Sequence, residues 1–131
     1  MNIDDYIAQI ESTIHAYSVI SSYNLNLDRK TEDIIFISGK IYFRDDSILD
    51  FKEFVERTEL GIEKYKYGYN YRIDSKILFR YDNAPDPSAR KLKSYPHHKH
   101  TADNEIIESK PINLDEVLNE IELIILSKIE I

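Results

Sequence analysis

Three of the four histidines in this chain lie within four consecutive positions, in the segment Tyr95–His100, which reads YPHHKH. A neutral imidazole can both take and give a proton near neutral pH, because its ordinary pKa is about 6.5. Imidazoles are also ligands for Zn, Ni or Cu, with Asp82 or Asp86 available to complete a metal site. The segment therefore predicts an acid–base site or a metal site, and a solvated loop without chemistry is the third interpretation.

An acid–base site in this segment has the groups that metal-free cleavage of RNA requires. A base removes the 2′-OH proton, a cation stabilises the charge that grows on the phosphorane, and an acid protonates the leaving 5′-oxygen. We expect His98 or His100 to be the base and the other, or His97, to be the acid. Arg80 would stabilise the phosphorane, and Asp82 would orient an imidazole. The predicted catalytic residues are Arg80, Asp82, His97, His98 and His100.

Basic residues are concentrated in the middle of a chain that is acidic overall. The net charge is −7, but residues 62–100 contain nine Lys and Arg against four Asp and Glu, a balance of +5 that leaves −12 for the rest. Attraction of phosphate depends on the local field rather than on the total. Lys93 is expected to assist Arg80 at the phosphorane. The predicted substrate-binding residues are Lys64, Lys66, Tyr69, Tyr71, Arg72, Tyr81, Asn83, Lys91, Lys93, Tyr95 and Lys99.

Amphipathic helices are predicted at the two ends of the chain, with strands between them. Isoleucines recur at spacings of three and four from residue 3 to about residue 20, and Asn113 with Glu116 resembles a capping box that starts a second helix. Five stretches of period two lie between them, of which ILDFKEFVE has a helix over residues 50–58 as its alternative. The pattern predicts an α+β fold, an antiparallel meander of about five strands with an N-terminal and a C-terminal helix packed on it. One domain is expected over residues 1–131.

The fourth predicted strand, EKYKYGYNYRI, alternates tyrosine with polar residues. The alternation places Tyr65, Tyr67, Tyr69 and Tyr71 on one face and the Lys, Gly, Asn and Arg residues on the other. The tyrosines form either a ladder packed in the core or a surface on which bases stack, and we expect at least two of them to pack in the core. In the fifth strand, KILFRYD, Arg80 faces away from its aromatic neighbours and is free to bind phosphate. A loop of about 20 residues follows.

Composition disfavours several classes of protein. The absence of Cys leaves no disulfide framework and no thiolate zinc site. No apolar run approaches the ~20 residues that cross a bilayer, and the acidic N-terminal segment is not typical of a secretion signal. We therefore expect a cytoplasmic protein without a membrane partner, and no cofactor is predicted.

The stretch YRIDSKILFRYDNAP, followed shortly by YPHHKH, resembles the signature of the TumE-type toxins of prokaryotic toxin–antitoxin modules. The resemblance covers most of the chain and includes IYFRDDSILDFKEFV and YKYGYNYR. It implies a growth-inhibiting toxin that acts on RNA and is silenced by an antitoxin from a neighbouring gene. The positions that match the signature are Arg80, Tyr81, Asp82, Asn83, Pro85, His97, His98 and His100.

The chain departs from the family pattern at one place. Relatives commonly continue DNAPHH, whereas Asp86 and Pro87 follow DNAP here. If a histidine at that place were an essential acid or base, this chain would depend on the histidines of Tyr95–His100. The departure also disfavours a metal site that needs both histidine pairs.

These observations predict the toxin component of a type II toxin–antitoxin module, acting on RNA as a metal-independent ribonuclease. Two alternatives remain open. One is a non-enzymatic module that binds RNA or a protein through its basic, tyrosine-lined face. The other is a metal-dependent nuclease that uses the histidines with Asp82. The expected partners are RNA and a cognate antitoxin, which could pair with an exposed strand edge, and a homo-oligomer is left open.

Overall fold

The computed structural model describes residues 1–128 of the chain. Helix α1 spans Ile3–His15 and helix α2 spans Leu114–Ser127. The side chains of Asn2 and Asn113 cap these helices, each accepting a hydrogen bond of 2.8 Å from a backbone N–H of the first turn. Both predicted helices are confirmed, although α1 ends at His15 rather than near residue 20. Among residues 1–128, no helix is long and apolar enough to cross a membrane.

Seven antiparallel strands form one sheet, in the order in which they occur along the chain. The α+β class and the predicted meander are confirmed, with seven strands in place of about five. The additional strands arise because the segment after the fifth strand folds back onto the sheet, and a short 3₁₀ helix at Pro87–Ala89 precedes them. The strands are β1 (Ile20–Arg29), β2 (Ile34–Phe43), β3 (Ile48–Thr58), β4 (Gly61–Ile73), β5 (Lys76–Asp82), β6 (His98–Thr101) and β7 (Ile106–Glu108).

Residues 50–58, for which a helix was the alternative, lie in β3, so that alternative is wrong. β3 is hydrogen-bonded to β2 on one side and to β4 on the other, with Leu49 opposite both Ile41 and Tyr71. Its buried residues alternate along the strand, as expected when one face of a sheet is covered. Pairing on both sides satisfies the backbone N–H and C=O groups of β3.

Both helices pack on one face of the sheet, which we call the helix-covered face. Three of the four tyrosines of β4 belong to this core, so the expectation that at least two of them pack inside is confirmed. Tyr69 and Tyr71 have an exposed fraction of 0%. Their hydroxyls donate to Glu53 Oε2 at 2.6 Å and to Ser47 Oγ at 2.8 Å. The buried core residues of the helices are Ile3, Ile10, Ile14, Leu114, Val117, Leu118, Ile121 and Ile125.

A β-bulge in β4 changes which residues face the helices. Phe54 lies opposite Lys66 and Val55 opposite Lys64, so Tyr65 has no direct partner in β3. Strict alternation, which predicted Tyr65 on the tyrosine face and Lys64 opposite, is therefore wrong at this end of the strand. Lys64 lies on the helix-covered face, whereas Tyr65 is 51% exposed and packs beside Phe54.

Glu53 is a buried carboxylate that joins α1 to the centre of the sheet. Its side chain is fully buried and accepts hydrogen bonds from the hydroxyls of Tyr6 and Tyr69. Lys64 Nζ donates to Tyr69 Oη at 2.6 Å. Burial, followed by the charge of Glu53, raises the pKa of the Tyr69 hydroxyl well above its ordinary value. The hydroxyls therefore stay protonated and serve as donors to the carboxylate.

We expect Glu53→Ala to lower the free energy of unfolding by about 3–5 kcal/mol, because it leaves two buried hydroxyls without their acceptor and removes one of the two carboxylates near Lys64. Urea denaturation followed by circular dichroism measures the change. Glu53→Gln keeps an acceptor oxygen and should cost less than Glu53→Ala, while the exposed Glu59→Ala should stay within about 0.5 kcal/mol of the parent. Equal stability of Glu53→Ala and Glu59→Ala would contradict this role for Glu53.

Candidate functional site

The pairing of β5 with β6 brings four predicted site residues to the face of the sheet that the helices leave open. Arg80 lies directly opposite His100, and Asp82 lies directly opposite His98. Residues opposite one another in an antiparallel pair project to the same face, and so do residues two apart on one strand. We call the four residues Arg80, Asp82, His98 and His100 the β5–β6 cluster.

The side chains of the β5–β6 cluster are in direct contact. Arg80 Nε donates to Asp82 Oδ2 at 3.0 Å, and Arg80 Nη2 lies 3.1 Å from His100 Nε2. His98 Nε2 lies 3.0 Å from His100 Nε2 and 3.1 Å from Asp82 Oδ1. His100 Nε2 lies 3.6 Å from Asp82 Oδ2. The two imidazoles, the carboxylate and the guanidinium thus meet around one point.

The hydrogen-bond partners of the imidazoles fix where their protons are. His98 Nδ1 lies 2.8 Å from the carbonyl oxygen of Pro96, which can only accept, so Nδ1 carries a proton. Arg80 can only donate, so His100 Nε2 presents its lone pair to Arg80. His98 Nε2 then faces two acceptors, the carboxylate of Asp82 and the lone pair of His100. A cation at this position satisfies all three groups.

Burial within the cluster separates the groups that a substrate can reach from those it cannot. The side chain of His98 is 0% exposed, whereas those of His100 and Arg80 are 20% and 43% exposed. Burial, followed by the charge of Arg80, lowers the pKa of His100 below its ordinary value. His100 is therefore neutral at neutral pH and is the imidazole that can accept a proton from a bound molecule.

Asn83 fixes the end of β5 next to β4. Its Oδ1 accepts from the backbone N–H of Tyr67 at 3.0 Å, and its Nδ2 donates to the carbonyl oxygen of Tyr65 at 3.1 Å. Both bonds go to the backbone of β4, just beyond the last residue of β5. Asn83 was predicted to bind substrate, and its amide is instead used to hold the strand that carries Arg80 and Asp82.

His97 does not join the β5–β6 cluster. Its Nδ1 lies 2.9 Å from the hydroxyl of Tyr67, and its ring stacks on that tyrosine with 5.8 Å between centroids. Tyr67 belongs to the core on the helix-covered face. His97 lies just before β6, and its contact with Tyr67 places its ring on the side of the sheet opposite to the cluster. The prediction that His97 is the catalytic acid is corrected accordingly.

Five predicted substrate-binding residues lie on the helix-covered face. Tyr81 donates to Glu120 Oε1 at 2.5 Å, and Lys99 Nζ donates to Glu120 Oε2 at 2.9 Å. Lys64 donates to Tyr69 Oη and to the carbonyl oxygen of Ile112, each at 2.6 Å. These side chains are engaged in packing α2 and the chain before it against the sheet. A role in stacking or binding RNA is thereby corrected for Lys64, Tyr69, Tyr71, Tyr81 and Lys99.

The remaining predicted binding residues are divided between the open face and the connection between β5 and β6. Arg72 Nε donates to Asp50 Oδ2 at 2.7 Å, so its charge is paired. Lys66 lies on the open face with its Nζ 5.3 Å from the ring centroid of Phe54. Lys91, Lys93 and Tyr95 are exposed in the connection between β5 and β6.

Asp86, where the chain departs from the family pattern, has a local structural role. Its side chain caps the 3₁₀ helix, with Oδ1 accepting from the backbone N–H of Ser88 at 2.9 Å. Pro87 is the first residue of that helix, where the missing N–H has no consequence. Together Asp86 and Pro87 begin the turn that leads the chain back towards β6. Asp86 and Pro87, which replace the usual histidines, are thus residues that favour the start of a helix.

A groove of about 560 Å³ runs along the open face beside the β5–β6 cluster. Its lining includes Lys52, Lys66 and Asn70 together with Arg80 and Asp82. Asn70 Oδ1 is buried without a hydrogen-bond partner among residues 1–128. Lys52 and Asn70 were not among the predicted binding residues. Their alternation with apolar neighbours in β3 and β4 is the signal that could have placed them on the open face.

The two cluster histidines should differ in their contribution to stability. We expect His98→Ala to lower the free energy of unfolding by about 2–4 kcal/mol, because it leaves a cavity and removes the buried partner of Asp82 and of the Pro96 carbonyl. We expect His100→Ala to cost about 1 kcal/mol or less, because its side chain is partly exposed and Arg80 can turn to solvent. Thermal and urea unfolding of both variants check this, and a larger loss for His100→Ala would contradict the assignment.

Comparison with protein families identifies the chain. The model of the family described as "Toxin TumE" matches residues 9–125, which is most of the chain. Comparisons with curated proteins and with solved structures found no match. The resemblance noted in the sequence is thereby confirmed. The chain belongs to the TumE toxin family, and this membership indicates the toxin of a toxin–antitoxin system with a cognate antitoxin as its partner.

Proposed function

We propose that this toxin cleaves RNA at the β5–β6 cluster by metal-free acid–base chemistry. The observation that carries the proposal is the contact of Arg80 with His100: a guanidinium that can bind phosphate is hydrogen-bonded, at 3.1 Å, to an imidazole lone pair that can take a proton. Both side chains project to the open face, and Arg80 also lines the groove beside the cluster. Phosphate binding and proton transfer are thus available within one hydrogen-bond length of each other.

The proposed reaction begins when the phosphate of RNA draws Arg80 away from His100. The freed Nε2 of His100 takes the proton of the ribose 2′-OH, and the 2′-oxygen forms a bond to phosphorus. Arg80 stabilises the charge on the phosphorane. The bond from phosphorus to the 5′-oxygen then breaks, and the protonated His100 returns its proton to that oxygen. The products are a 2′,3′-cyclic phosphate and a 5′-hydroxyl.

His98 and Asp82 are positioning residues in this scheme. His98 is enclosed and cannot touch the RNA, so the expectation that it is the acid or the base is revised. Its proton on Nδ1 is held by the Pro96 carbonyl, and its Nε2 faces His100 at 3.0 Å. Asp82 lies 3.6 Å from His100 Nε2, where its charge favours the protonated form that the reaction creates.

The groove beside the cluster supports RNA as the substrate. Lys52, Lys66 and Arg80 line the groove and can meet phosphates along this face. Asp50, Asp82 and Asp86 line it as well, but Asp50 is paired with Arg72 and Asp82 with Arg80. The exposed ring of Tyr65 lies near Phe54 at the same side of the sheet, where a base can stack. Affinity for RNA should therefore fall as salt concentration rises.

The experiment is cleavage of a defined single-stranded RNA by the purified chain in the presence of EDTA. We expect cleavage to persist with EDTA and to fall by about 10²–10⁴-fold in His100→Ala, because the base is lost. Arg80→Lys should lose about 10²–10³-fold, because a single ammonium cannot replace the bidentate guanidinium. His15→Ala, which changes a remote histidine in contact with Tyr23, is the matched control and should retain full activity.

Three outcomes would overturn the proposal. Full activity in His100→Ala would exclude the base, and loss of activity with EDTA would exclude the metal-free chemistry. Salt-dependent binding of RNA without any product would instead identify a non-enzymatic binding module. Circular dichroism and thermal unfolding of each variant separate a loss of chemistry from a loss of fold.

A further inference from the structure

We infer that Asp82, His98 and His100 form a binding site for one divalent transition-metal ion of the Zn²⁺ class, and that this ion blocks the base of the β5–β6 cluster. The inference goes beyond the proposed function, because the binding of the ion does not depend on whether RNA is cleaved. Ligand atoms of the three residues all lie within 4.8 Å of one another.

The separations of the ligand atoms match those around a single ion. His98 Nε2 lies 3.0 Å from His100 Nε2 and 3.1 Å from Asp82 Oδ1, and His100 Nε2 lies 3.6 Å from Asp82 Oδ2. Two ligands that each lie about 2.0–2.1 Å from Zn²⁺ are about 3.0–3.6 Å apart for angles between about 90° and 120°. One ion can therefore reach all three residues without movement of the backbone.

The surroundings of the cluster hold the ligands in the orientation that a metal needs. His98 donates its Nδ1 proton to the Pro96 carbonyl at 2.8 Å, which directs the other ring nitrogen at the shared point. A histidine that binds a metal almost always has such a partner for its second nitrogen. Asp82 Oδ1 accepts from the backbone N–H of Ala84 at 3.0 Å, which holds the carboxylate. Two of the three ligands are thus fixed before an ion arrives.

The donor set selects the class of ion. Two imidazole nitrogens and one carboxylate suit Zn²⁺, Ni²⁺ or Cu²⁺, whereas Mg²⁺ and Ca²⁺ prefer oxygen ligands alone. Three protein ligands also leave coordination positions for water or for a phosphate oxygen. Arg80, which donates to His100 Nε2, must turn away when the ion binds. Its side chain is 43% exposed, so it can do so into solvent.

Bound metal and metal-free cleavage exclude each other at His100. The ion takes the lone pair on Nε2 that would otherwise accept the 2′-OH proton. It also occupies the position between His98 Nε2, Asp82 and His100, whose ligand atoms lie 3.0–3.6 Å apart. The same residues therefore give an RNA-cleaving state without metal and a blocked state with it.

The test is isothermal titration of ZnCl₂ into the full chain after treatment with a chelator and dialysis. We expect one ion per chain, and binding at least about 100-fold weaker in His100→Ala and in Asp82→Asn. Loss of a residue that only hydrogen-bonds a ligand lowers metal affinity by about 10–100-fold, and loss of a ligand itself should lower it further. His15→Ala and His97→Ala, which alter histidines outside the cluster, should bind as the parent does. MgCl₂ should give no comparable heat.

Absence of a 1:1 site, or equal binding in His100→Ala and the parent, would overturn the inference. Thermal unfolding with and without Zn²⁺ provides a second readout, since an ion that binds the folded chain should raise the midpoint of the parent and not that of His100→Ala. In the RNA assay we expect inhibition by Zn²⁺. Stimulation by Zn²⁺ would overturn both the inhibition by metal and the metal-free chemistry, but it would support the metal site itself. If the chain cleaves no RNA, the titration alone decides for or against the metal site.

Discussion

The register between β5 and β6 is the constraint on which the candidate site depends. It places Arg80 opposite His100 and Asp82 opposite His98, so that a guanidinium, a carboxylate and two imidazoles share one face of the sheet. A slip of one residue would move the side chains of β6 to the other face, because side chains alternate along a strand. The chemistry of the site is therefore a consequence of strand pairing.

The helix-covered face supports this register from the other side of the sheet. Glu120 of α2 accepts from Tyr81 of β5 and from Lys99 of β6, two residues that lie opposite one another in the same pairing. One carboxylate of the helix thus joins the two strands that carry the cluster. Tyr81 and Lys99, which were expected to bind substrate, therefore support the site from the opposite face of the sheet.

The fold and the composition of the cluster could be read from the sequence, but the geometry could not. Period-two and helical spacings predicted the meander and both helices, since those patterns reflect burial on one face. The assignment of His97 and His98 to opposite faces depends on where β6 begins, and a four-residue polar strand has no apolar alternation to show it. The bulge at Tyr65 could not be predicted from the sequence either, because an extra residue in β4 is defined only by its pairing with β3.

The cluster contains more acceptors than donors, and this imbalance determines how it responds to its surroundings. The four acceptor atoms are the two carboxylate oxygens of Asp82 and the Nε2 atoms of His98 and His100. Arg80 donates to Asp82 Oδ2 and to His100 Nε2, and the backbone N–H of Ala84 donates to Asp82 Oδ1, which leaves His98 Nε2 without a donor among these groups. A charged species that enters changes the partners of His100: a phosphate draws Arg80 away, and a metal ion binds the lone pairs of His98 and His100. Because the side chain of His98 is fully buried, these changes fall on Arg80 and His100, the two most exposed side chains of the cluster. His98 and Asp82 therefore keep their positions while Arg80 and His100 exchange their hydrogen-bond partners.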